Sequence, residues 1–120
     1  MTLQECYAAL GGSCDEVMGR LHSENLVKKF VLKFLDDPSY DLLCRSMEDQ
    51  NYEEAFRAAH TLKGVCQNLA FTQLYVSSAQ LCEALRGGLH PEAPGLVSQV
   101  DADYGQTVAA IRAFQASLPQ

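Results

Sequence analysis

Ala58-Ala59-His60-Thr61-Leu62-Lys63-Gly64 is the stretch whose reading decides this chain. Around it, Ala55, Ala59, Leu62, Cys66 and Leu69 recur at 4-3-4-3 spacing, the apolar stripe of an amphipathic helix. At about 100° per residue the stripe centres near Ala55, Leu62 and Cys66. His60 then lies roughly 140° from that centre, Gln67 roughly 120° and Gly64 roughly 180°, with Lys63 at roughly 80° on the His60 side. The expectation is an imidazole outside the core, with Gly64 one turn along its face and Gln67 two turns along. Glycine inside a helix costs about 1 kcal/mol relative to alanine. A helix that carries one beside a histidine keeps the space over the ring clear for another molecule.

Helical spacing continues on both sides of this segment, and no segment shows sustained strand alternation. Leu3, Cys6, Tyr7 and Leu10 mark a short first helix stopped by Gly11-Gly12. No helix is read from there to Ser23, the N-cap of a second helix carrying Leu26, Val27, Phe30, Val31, Phe34 and Leu35. Asp37-Pro38 ends that helix and starts a third, with Asp as N-cap, Pro at the first position, and Leu42, Leu43 and Met47 inward. Asn51-Tyr52-Glu53-Glu54 resembles a capping box that opens the His60 helix, which runs to about Leu69. Thr72 caps the next helix, where Leu74, Ser78, Leu81 and Leu85 face the core until Gly87-Gly88. After His90-Pro91 a last helix uses Val97, Val100, Tyr104, Val108, Ile111 and Phe114. Short connections favour antiparallel neighbours. The expected architecture is all-α: an up-down antiparallel four-helix bundle with additional short helices, as a single domain over residues 1–120.

Composition removes several function classes. A formal net charge of -6 leaves no basic excess to neutralise nucleic-acid phosphates. No apolar run approaches the roughly 20 residues of a membrane span, and Met1-Thr2-Leu3-Gln4-Glu5 lacks the features of a signal peptide. A cytoplasmic, monomeric protein is expected, and Met1 so close to a first helix suits a free-standing chain. The five cysteines, Cys6, Cys14, Cys44, Cys66 and Cys82, form no C-x-x-C pair and read as reduced thiols. No metal or cofactor is expected. The chain has neither a G-x-x-x-x-G-K phosphate loop nor a G-x-G-x-x-G run, so autophosphorylation from ATP is not expected. His22 and His90 fall at a helix start and in a Gly/Pro turn, and read as structural or solvated.

Ala59, His60, Leu62, Lys63 and Gly64, the pair Asn68-Leu69, and the downstream Leu74 and Leu81 together resemble the histidine phosphotransfer (HPt) domains of multistep two-component phosphorelays. The resemblance spans about Leu26 to Arg86. Two positions depart from the pattern. Ala70 stands where the family has a glycine, which matters if that residue needs φ > 0. Cys82 stands where an acidic residue often follows the second leucine, leaving Gln80 and Glu83 as weak candidates to orient the imidazole.

The resemblance implies a relay in which His60 exchanges a phosphoryl group with the aspartate of a receiver domain. Partners would be a response-regulator receiver and/or a hybrid histidine kinase, the receiver bringing the Mg²⁺. A histidine's ordinary pKa is about 6.5, so much of a free ring is neutral and nucleophilic near neutral pH. Lys63 would place a cation near the transferring oxygens, Gln67 would donate a hydrogen bond, and Gly64 would leave room for the group. One alternative is a non-catalytic helical adaptor that binds receiver or kinase domains without phosphotransfer. Another is a metal- or cofactor-binding four-helix bundle, which needs inward Glu and Glu-x-x-His pairs; Glu53, Glu54 and His60 do not make that spacing.

Overall fold

A computed structural model describes residues 1–119. Its described residues form seven α-helices: α1 (Leu3–Leu10), α2 (Cys14–Leu21), α3 (Glu24–Lys33), α4 (Ser39–Glu48), α5 (Tyr52–Leu69), α6 (Thr72–Ala84) and α7 (Ala93–Ala116), with a 3-10 turn at Phe34–Asp36 after α3. The bundle expected from helical spacing is present. α5 packs against α4 on one side and α6 on the other, and α7 lies between α6 and α1. The 24 residues of α7 span about 36 Å, most of the molecule's 44 Å long axis. α4 and α7 close the bundle through Tyr40, whose ring stacks on Tyr104 at 3.8 Å and whose hydroxyl donates to Asp101 Oδ1 at 2.6 Å.

The buried stripe of α5 is Ala55, Ala58, Ala59, Leu62, Cys66 and Leu69. It contains every position expected from the spacing and adds Ala58. Three alanines on that stripe let α4 and α6 approach the α5 backbone closely, so the larger core residues come from the neighbours: Leu43, Leu74, Leu81 and Leu85 are all buried.

Several local expectations need correction. The segment after Gly12 is not a connection: Cys14–Leu21 is α2, capped by Ser13, whose hydroxyl accepts from the Glu16 amide. Only Val17 on α2 is buried, so two helical turns leave almost no apolar stripe in the sequence. On α4, Leu43 is buried and Met47 partly so, but Leu42 is 46% exposed. That helix begins one residue later than expected. Pro38 occupies the cap position, while the Asp37 carboxylate accepts from the Ser39 amide at 2.9 Å. Thr72 is the first residue of α6 and Phe71 precedes it with no side-chain cap. Phe71 is anchored instead in an aromatic row with Tyr7 at 5.7 Å and Phe34 at 5.1 Å.

The α5–α6 turn is clasped by the end of α1. The Tyr7 hydroxyl donates to Leu69 O at 2.7 Å, the Ser13 amide to Ala70 O at 2.9 Å, and the Gln73 amide to Gly11 O at 2.9 Å. These bonds satisfy backbone groups that a helix terminus leaves open. Gly12 is required by this closeness, since a Cβ there would lie 2.5 Å from Ala70 O. Along the α6–α7 seam Asp103 is buried, and the Gln73 and Gln99 side-chain amides donate to it at 2.7 and 3.1 Å. No helix among the described residues is long and apolar enough to cross a membrane.

Candidate functional site

α5 begins at Asn51, whose side chain accepts from the Glu54 amide at 3.2 Å. The expected reciprocal half of the capping box is replaced: the Glu53 and Glu54 carboxylates both bond Arg57, one turn on. This ties up Arg57 before the helix reaches His60. His60 is exposed, as the stripe requires. Its ring neighbours Phe56, one turn earlier, with centroids 6.3 Å apart. Among the described residues neither imidazole nitrogen has a hydrogen-bond partner. The ring is therefore free to offer a lone pair outward.

Gly64 lies one turn past His60, inside an 18-residue helix. A Cβ built on it meets nothing within 4 Å. Nothing among the described residues requires glycine here, unlike Gly12, and its φ is not in the left-handed region. The helix thus carries a propensity cost with no packing return, on the same face as an open imidazole.

Lys63 is half-buried. Burial pushes the Cys82 thiol of α6 up, and the charges of Lys63 and then Arg86 pull it back. The ion pairs among the described residues all run between side chains three or four residues apart, and none includes Lys63. Its ammonium is thus uncommitted beside the His60 face. The Gln67 side chain is exposed at the far end of that face. Its backbone carbonyl and that of Asn68 accept from the Arg20 guanidinium of α2, which fixes the last turn of α5.

Ala70 occupies the C-cap of α5 with φ 57 and ψ 38, the left-handed conformation. The chain therefore makes the turn a glycine would make, with a methyl group present. The departure puts a side chain in a conformation that favours glycine, which strains the turn.

Two residues around the site escaped the sequence reading: Phe56 beside the imidazole, and Arg86 over Phe56. Phe56 could have been found, since it precedes His60 by one turn on α5. Arg86 could not, because it comes from the turn after α6, where its Cζ sits 5.1 Å over the Phe56 ring. Of the weaker candidates, Gln80 lines a small cavity with Gln73, Gln99 and Asp103 on the α7 side, away from α5. Glu83 pairs with Arg86. Among the described residues neither is hydrogen-bonded or ion-paired with His60. His22 is the exposed C-cap of α2, and the His90 ring lies 3.0 Å from Arg86 O. A groove of about 620 Å³ runs beside the C-terminal half of α5, with Val65 and Leu69 on one wall and Phe30 and Phe34 on the other. Among the described residues no cluster of His, Cys, Asp or Glu is placed to hold a metal ion.

The helical bundle and the open histidine bear directly on family. A family model described as Hpt domain matches residues 5–112 of the 120-residue chain. The chain belongs to the Hpt domain family. Hpt domains are phosphocarriers rather than kinases, and they work with the receiver and kinase domains of two-component systems. The match extends past the motif-bearing segment to α1 and most of α7. No curated protein and no solved structure matches this Hpt chain significantly.

Proposed function

We propose that this Hpt domain relays a phosphoryl group between receiver-domain aspartates and His60. A lone pair of the neutral imidazole forms the N–P bond as the P–O bond of the aspartyl phosphate breaks, and the bonding electrons leave with the receiver carboxylate. The return step reverses this on a second receiver. Such a transfer needs in-line access and charge stabilisation more than covalent help from the protein. Gly64 provides the access. Lys63 supplies a flexible cation to the equatorial oxygens, and Gln67 supplies a hydrogen-bond donor farther along the same face. The partner brings the acid and its metal, and the chain acts without binding a nucleotide.

The observation that carries this reading is the pairing of an exposed, unbonded His60 with a glycine one turn on that no internal contact requires. The test is incubation of the chain with a panel of phosphorylated receiver domains, with analysis for acid-labile, base-stable phosphate. Label on His60 from at least one receiver supports the relay. A chain that binds a receiver yet never takes the phosphate would instead be an adaptor.

A further inference from the structure

Arg86 carries a charge that the fold holds only loosely. Its Nε donates to both Glu83 carboxylate oxygens, at 3.3 and 3.2 Å. Its Cζ lies 5.1 Å over the Phe56 ring, and Phe56 in turn neighbours His60. The Arg86 and Glu83 side chains are 60% and 71% exposed, and pairs in such settings are weak and screened by salt. An exposed cation–π contact adds little more. Cys82, one turn before Arg86, feels both Lys63 and Arg86. The two cations therefore converge on one stretch of the α5–α6 seam. Lys63 follows His60 on α5, and Arg86 reaches the seam over Phe56, which precedes it.

A phosphoryl group on the imidazole changes the competition. It adds close to two negative charges and three strong acceptor oxygens. A guanidinium binds such a group through two parallel N–H bonds, a stronger arrangement than a solvated pair with a single carboxylate. We propose that Arg86 is a second phosphoryl-binding cation of this site, parked on Phe56 and Glu83 until His60 is loaded and then drawn onto the phosphoryl oxygens. Glu83 is in this account a competitor: it holds the guanidinium on the unloaded domain and opposes its transfer. The proposal rests on the reading of His60 as the phosphoryl acceptor.

The test uses the full chain loaded with phosphoramidate, a small phosphoryl donor that needs no partner, and compares wild type with Arg86→Ala, Arg86→Lys and Glu83→Gln. Phosphorus NMR reports the phosphohistidine lifetime and the pH midpoint at which the phosphoryl group takes its last proton. Arg86→Ala should shorten the lifetime on the order of twofold to tenfold, a modest effect because the site is open to water. It should also raise the midpoint, because a nearby cation favours the doubly charged group. Arg86→Lys should recover part of both. Glu83→Gln should lengthen the lifetime and lower the midpoint. A merely structural role for Arg86 would leave the midpoint unmoved. Equal lifetimes and midpoints for wild type and Arg86→Ala overturn this proposal alone. A wild type that takes no phosphate on His60 overturns the acceptor reading, and this one with it.

Discussion

Replacing Gly64 should make the protein more stable and less able to transfer phosphate. Gly64 lies well inside α5, where glycine costs about 1 kcal/mol relative to alanine and nearly as much relative to leucine. A Cβ there meets nothing within 4 Å, so no clash offsets the gain. Gly64→Ala and Gly64→Leu should each gain a little under ~1 kcal/mol. For a domain of this size that raises Tm by about 3–6 °C. The functional effect runs the other way and grows with side-chain size. A leucine projects beside His60 into the approach path of the partner. Misplacing reacting groups by as little as about 1 Å costs on the order of 10²-fold, so Gly64→Leu should slow transfer by at least that factor. Gly64→Ala, adding one methyl, should slow it less. Thermal melts and rapid-quench transfer from one phosphorylated receiver measure both effects on the same samples. Loss of stability in either variant would mean that the glycine serves the fold. A wild-type transfer rate in Gly64→Leu would refute the clearance argument.

Other consequences follow from single residues. Lys63→Ala should melt close to wild type, since Lys63 is in no ion pair among the described residues, yet transfer roughly tenfold more slowly or less; equal rates and equal phosphohistidine lifetimes would leave the lysine without a role. Ala70→Gly should release about 1–2 kcal/mol of left-handed strain and lose about 0.8 kcal/mol of methyl burial, for a net gain of up to about 1 kcal/mol in denaturant melts; a lowered midpoint would contradict the strain. Burial raises the Cys6 thiol from 9.0 to about 11 and pushes Cys66 and Tyr7 upward too. As pH rises past about 9 the unfolded chain sheds protons that the folded one keeps, so stability should hold below that pH and fall above it. Urea midpoints at about pH 8 and about pH 10 check the sign, and a higher midpoint at the alkaline pH would contradict it.

Much of the fold was legible because α5, α6 and α7 are long and their buried positions repeat at helical spacing. The α5 stripe fixed the phase of His60, and its exposure followed. α2 was not legible, because a helix that buries only Val17 has no stripe to read. Leu42 misled because two adjacent leucines on a helix point about 100° apart, and only Leu43 reached the core. Within the site, the residues on α5 were accessible from their register against His60. Arg86 was not, since its place over Phe56 depends on how the end of α6 packs against α5. Ala70 was visible as a departure, but only its backbone angles reveal that the turn survives with strain.

The most direct test of the account locates the phosphate. Wild type and His60→Gln are each incubated with the same phosphorylated receiver, and the acid-labile phosphate is mapped by mass spectrometry under alkaline conditions. His60 is exposed and without a hydrogen bond among the described residues, so its replacement should leave the fold intact. Phosphate is expected on His60 in the wild type and none on a normally folded His60→Gln. Phosphate retained by the variant, or mapped to His22 or His90 in either protein, would contradict it.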